Sequence, residues 1–148
     1  MRILKFISKR MELPMATNVR AAVSEKSKYW ISKHRHYELK HFCLQYNDWK
    51  GSYKDADGYG DEASKSDTRY SDRTAQYGVL RTKYLEKIKT VEYAAMNADE
   101  ALYPYILKAV TEGLSFTYLK SKLEMPCGRE TYYDRYRRFF WLLDKMRD

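Results

Sequence analysis

Two cysteines, three prolines and six glycines are all that 148 residues hold of the types that staple, break or free a backbone. Cys43 and Cys127 are too few for the disulfide framework of a small secreted domain. No apolar run approaches the ~20 residues of a membrane-spanning helix. Near the start, Lys5 interrupts Ile3, Leu4, Phe6 and Ile7, and Lys9, Arg10 and Glu12 follow, so no secretory signal is expected. These absences point to a cytoplasmic protein. No segment shows the period-two alternation of a half-buried strand, which leaves an all-α chain.

Catalytic and cofactor patterns are also missing. The glycines lack the spacing of a phosphate-binding loop and the Lys-Ser/Thr that follows it. No two carboxylates share an apolar run that would separate their pKa values. Neither an enzyme nor a cofactor is expected. His34, His36 and His41 lie near Cys43, but no two of the histidines stand at i, i+4, the spacing that puts two ligands on one helix face. They read as exposed side chains beside phosphate-contacting lysines, not as a metal site. Asp55-Ala56-Asp57-Gly58 opens like a calcium loop, but no glutamate occupies the twelfth place.

Positive charge and tyrosine are abundant. The chain has 15 tyrosines, a net charge of +8 and a pI near 9.3. Residues 1–50 carry 11 basic and 4 acidic side chains, residues 51–113 carry 9 and 11, and residues 114–148 carry 8 and 5. Two basic ends around an acidic middle favour an anionic partner, nucleic acid before an acidic membrane surface.

The pattern divides the chain into four parts. Residues 1–18, closed by Pro14, read as a flexible basic arm. Residues 19–50 read as a helical region, with Leu39, Phe42, Cys43 and Tyr46 at i, i+3, i+4 and i+7. Residues 51–68, rich in glycine, aspartate and serine and without an apolar period, read as a loop or linker. From residue 69, Tyr77, Leu80, Tyr84, Ile88, Val91 and Ala95 mark a long helix, in which Gly78 suggests a close helix crossing. Asn97 to Glu100 ends it, Pro104 suits the first turn of the next helix, and Leu102, Ile106, Ala109 and Val110 give that helix an apolar face.

The last third reads as three helices ending in a helix-turn-helix. Gly113 suits a left-handed helix end and Ser115 an N-cap. Phe116, Leu119 and Leu123 line a short helix that Pro126 breaks. In the final helix Tyr132, Tyr136, Phe139, Phe140, Leu143 and Met146 share the apolar face. Arg129, Thr131, Tyr133, Arg137 and Arg138 interleave base, hydroxyl and ring. The N-terminal half of a second helix meets base edges in such units, which selects Arg129, Glu130, Thr131, Asp134, Arg137 and Arg138, with Lys120 and Lys122 of the preceding helix as further DNA-binding side chains. Trp141 lies nearly opposite Tyr132, so a monomer is expected to expose it, and a homodimer or partner contact is expected there.

Leu114-Ser115-Phe116-Thr117-Tyr118-Leu119, then Leu123, a turn, and Thr131-Tyr132-Tyr133-Asp134-Arg135-Tyr136-Arg137-Arg138-Phe139-Phe140 resemble the C-terminal part of phage late-gene activators of the ArpU and RinA type. The likeness spans about residues 70–148. The helix-turn-helix of those activators resembles sigma factor region four. The turn from Glu124 to Gly128 is longer than the sigma type, and Pro126-Cys127-Gly128 lacks its small polar pair. The resemblance implies a phage or prophage transcription regulator that binds double-stranded DNA in a bacterial host. Two other expectations stand beside it. One is an accessory protein that grips a host protein, such as a defence nuclease, through aromatic and basic surfaces; the other is a DNA-packaging adaptor.

Overall fold

A computed structural model describes the backbone of residues 25–61 and 68–147 and the side chains of residues 25–56 and 73–147. The expected arm, residues 1–18, and residues 62–67 of the expected linker lie outside the described residues. The described chain is all-α: α1 (Lys33–Leu44), α2 (Tyr46–Asp61), α3 (Thr68–Ala98), α4 (Tyr103–Glu112), α5 (Phe116–Ser121) and α6 (Arg129–Met146). Among the described residues, no helix is long and apolar enough to cross a membrane.

Local chemistry sets the boundaries. The Ser32 hydroxyl accepts from the Arg35 amide at 3.3 Å and starts α1. Asp99, just past α3, accepts from the amides of Ala101 (2.9 Å) and Leu102 (3.0 Å) and turns the chain into α4, which carries Pro104 in its first turn. Gly113 ends α4 at φ 71°, a conformation that costs glycine nothing.

The linker expected at 51–68 is corrected: residues 51–61 continue α2. Its apolar face is narrow but strongly partnered, and it packs antiparallel on α3. The Tyr46 hydroxyl donates to the Glu92 carboxylate, Lys87 sits 5.7 Å over the Trp49 ring, and Arg81 donates to the Tyr53 hydroxyl at 3.0 Å while lying over its ring. These contacts outweigh the ~1 kcal/mol that a helical glycine such as Gly51 costs. α2 therefore runs across the boundary expected at residue 50. Among the described residues Gly78 marks no close crossing, since a Cβ there meets nothing within 4 Å. The apolar stripe of α3 is buried at Ile88, Val91 and Ala95, half-buried at Tyr84 and exposed at Leu80.

The core lies where α6 crosses α3 and α1. Tyr132, Phe139, Phe140 and Leu143 are buried, against α1 residues Leu39 and Cys43 and the small α3 residues Ala94, Ala95 and Ala98. Tyr136 packs half-buried beside Phe140, with ring centroids 4.9 Å apart. Met146, expected on this face, is instead 41% exposed. At the far end of α6, Arg35 donates to Asp144 at 2.6 Å and pairs with Glu38 at 3.0 Å, and Arg147 lies 3.8 Å over the Phe42 ring.

His36 departs from the expected exposed row. His34 and His41 are exposed, but His36 is buried, 4.6 Å from the Phe140 ring and 6.4 Å from Tyr136, and its Nε2 has no hydrogen-bond partner among the described residues. Burial, with a smaller contribution from Lys40, lowers its pKa from 6.5 to about 4.

The depressed pKa sets the sign of a pH effect. The fold requires neutral His36, so its contribution is complete above pH 6.5 and is lost as pH falls from 6.5 towards 4. The loss reaches roughly 3 kcal/mol. Urea midpoints measured across this range should fall for the natural chain and flatten in His36→Leu; parallel profiles would contradict the assignment. At neutral pH, Phe140→Ala should cost ~3–5 kcal/mol in the same titration.

Candidate nucleic-acid interface

The α5–turn–α6 unit is held by three contacts. The Ser115 hydroxyl accepts from the Tyr118 amide at 3.2 Å. Phe116 of α5 stacks on Tyr132 of α6 with centroids 5.6 Å apart, and the Arg129 guanidinium lies 4.9 Å over the same Phe116 ring. The long turn folds back beneath them. Glu124 adopts φ 53°, Met125 is buried, and the Met125 amide donates to the Leu119 carbonyl at 3.1 Å. Lys120 donates to the carbonyls of Met125 (3.1 Å) and Cys127 (3.0 Å).

That last contact gives Lys120, an expected DNA-binding residue, a structural partner as well. Lys120 closes the turn with its ammonium, which satisfies two carbonyls that Pro126 and the irregular backbone leave outside any helix. Lys122 is exposed at the end of α5.

The expected α6 residues divide between two sides of the helix. Arg129, Glu130, Asp134 and Arg137 line one open groove together with Tyr133. Tyr133 stands at i+4 from Arg129 and i−4 from Arg137, so it belongs with them by helical spacing. Arg138 turns away, into a cleft with Arg135, Tyr93, Met96, Asp99 and Glu100. Thr131 is exposed in the first turn but does not line the groove.

Within the groove one carboxylate is braced. Arg135 donates to Asp134 at 3.0 Å and to Asp99 at 3.0 Å. The same Asp99 caps the backbone between α3 and α4, so Arg135 ties α6 and Asp134 to that corner. The 36-residue separation of Arg135 and Asp99 leaves no trace in sequence spacing.

The expectation of an exposed Trp141 is corrected. Trp141 is half-buried: Tyr29 packs edge-on against it at 5.5 Å and the Lys145 ammonium lies 3.5 Å over its ring. A contact between residues 29 and 141 has no sequence signature, and with it the argument for a dimer through Trp141 lapses. Trp141 is one turn beyond Arg137 on the same side of α6. Tyr29 therefore covers part of the C-terminal half of that side, and among the described residues only α6 itself lines the surface at its first two turns.

The two neighbouring lysines should behave differently. Lys120→Ala should lower stability by ~1 kcal/mol through loss of the turn bonds, whereas Lys122→Ala should stay within about 0.5 kcal/mol of the natural chain. Thermal or urea unfolding distinguishes them, and equal effects would count against the turn role.

Comparison with protein-family models, with curated proteins and with solved structures finds no match to this chain.

Proposed function

We propose that the chain is a sequence-specific DNA-binding protein that docks the first two turns of α6 in the major groove. The observation that carries this reading is the division of α6. Its ring face is buried in the core, and a neighbouring flank of its N-terminal half presents Arg129, Glu130, Tyr133, Asp134 and Arg137 together, in an open surface that no other element lines among the described residues. The preceding short helix and turn supply the approach of a helix-turn-helix. Assignment to a phage or prophage transcription programme in the cytoplasm of a bacterial host rests on the sequence resemblance alone.

The groove carries chemistry for discrimination as well as attraction. Guanidinium groups bind guanine edges bidentately or neutralise phosphate, while carboxylates repel phosphate and accept from cytosine amino groups. Asp134, held by Arg135, presents its carboxylate in a fixed place. The second reading is a protein partner such as a host defence nuclease. The observation favouring it is the groove's own balance, two guanidinium groups against two carboxylates around a tyrosine, since arginine and tyrosine anchor protein interfaces.

Fluorescence anisotropy on labelled duplexes over a salt series tests the proposal. Arg137→Ala, as a phosphate contact, should weaken all duplexes alike and reduce the slope of log K against log salt by about one. Arg129→Ala, as a base contact, should cost ~1–3 kcal/mol on a preferred duplex and little on random DNA. Glu130→Ala should relax sequence choice without weakening non-specific binding. If the folded variants all bind as the natural chain does, or affinity is indifferent to salt, the DNA reading fails and the protein-partner reading replaces it.

A further inference from the structure

We propose that the outer face of α3 near its C-terminus is a homodimer interface, in which two copies pack α3 against α3, antiparallel, about a two-fold axis between Tyr93 and Met96. Tyr93 is 62% exposed, Met96 47% and Met146 41%. These three side chains flank a shallow apolar cleft with Lys89 at one end. A second cleft sharing Tyr93 and Met96 continues past the helix end to Glu100. The result is one continuous surface along the seam of α3 and α6, with its apolar part in the middle.

Charge along this surface selects the partner. Lys89, Tyr93 and Met96 stand at i, i+4 and i+7, on one side of α3, and Glu100 lies just beyond the helix. Asp99 is already paired with Arg135, which leaves Glu100 as the acid at that end, with Arg138 of α6 on its far wall. A two-fold contact needs a patch that is complementary to itself, residue i meeting residue j and j meeting i. With the helices antiparallel, Tyr93 meets the partner's Met96, a favourable ring–thioether contact. Lys89 then meets the partner's Glu100, and each contact occurs twice. A parallel arrangement would set lysine against lysine and glutamate against glutamate. Duplex DNA suits this face poorly, because its centre is apolar. The interface does not depend on the DNA reading of α6, and its test contains no DNA.

Sedimentation velocity on the full chain, over a micromolar concentration series, is the experiment. The mass should move from one chain to two as concentration rises. Tyr93→Glu and Met96→Lys, both at exposed positions that the fold does not need, should each weaken self-association by about tenfold or more. Lys89→Glu and Glu100→Lys should each weaken it, because each sets like charges opposite one another, and the double variant should restore it. Val79→Glu, at an exposed apolar position well away on α3, should change nothing. A single-chain mass at every concentration overturns the proposal. So does a dimer that ignores the Tyr93 and Met96 substitutions, or a double charge swap no better than the single ones.

Discussion

Burial of the ring face of α6 is the constraint on which the rest of the structure depends. Tyr132, Phe139, Phe140 and Leu143 lose contact with water by lying across α1 and α3, and no other helix brings so much aromatic surface to the core. Each such side chain contributes about 1.5–3 kcal/mol by burial. Buried alanines at 94, 95 and 98 on α3 leave room for those rings. The short helix α5 is attached through the same rings, by Phe116 on Tyr132. α1 reaches the same seam through His36, whose neutral imidazole completes the packing around Phe140.

One consequence is a helix that cannot rotate. With one side of α6 fixed by rings and its C-terminus fixed by Arg35 on Asp144 and Arg147 on Phe42, the opposite side has a single orientation. Tyr29 and Lys145 cover Trp141, and among the described residues the first two turns of α6 carry the open surface. A recognition surface on a rigid element costs less ordering on binding than one on a loop. Arg135 adds to this by connecting Asp134 to the corner between α3 and α4. The proposed DNA contact and the proposed α3 interface adjoin at Arg135, which bonds Asp134 of the one and Asp99 of the other.

Much of this was legible in the sequence where local chemistry decides the outcome. The glycine at 113, the serine cap at 115, the proline at 104 and the ring periodicity of α6 all act within a few residues of themselves. The structure departs from expectation where distant parts decide. Residues 51–61 lack an apolar period yet continue a helix that Tyr46 and Trp49 anchor on α3 and in which Tyr53 finds a partner at Arg81. Gly78 looked like a contact point and, among the described residues, faces open space. His36 and Trp141 both looked exposed on helical wheels, and are covered by residues far away in sequence. Lys120 also bonds the turn, a contact that exists only once Pro126 and Cys127 have folded back. The candidate site shows the same division. Helical spacing brings Arg129, Glu130, Asp134 and Arg137 together and sends Arg138 elsewhere, whereas the Arg135–Asp99 brace is a product of packing.

The central claim is that the open half of α6 reads a DNA sequence. Selection from a random duplex pool by the intact protein, with sequencing of the retained molecules, tests it most directly. The account predicts enrichment of one discrete motif, and loss of that enrichment when Arg129 and Glu130 are both replaced by alanine in a protein that still folds. A retained pool as random as the input would contradict it, and so would a motif that survives those replacements unchanged.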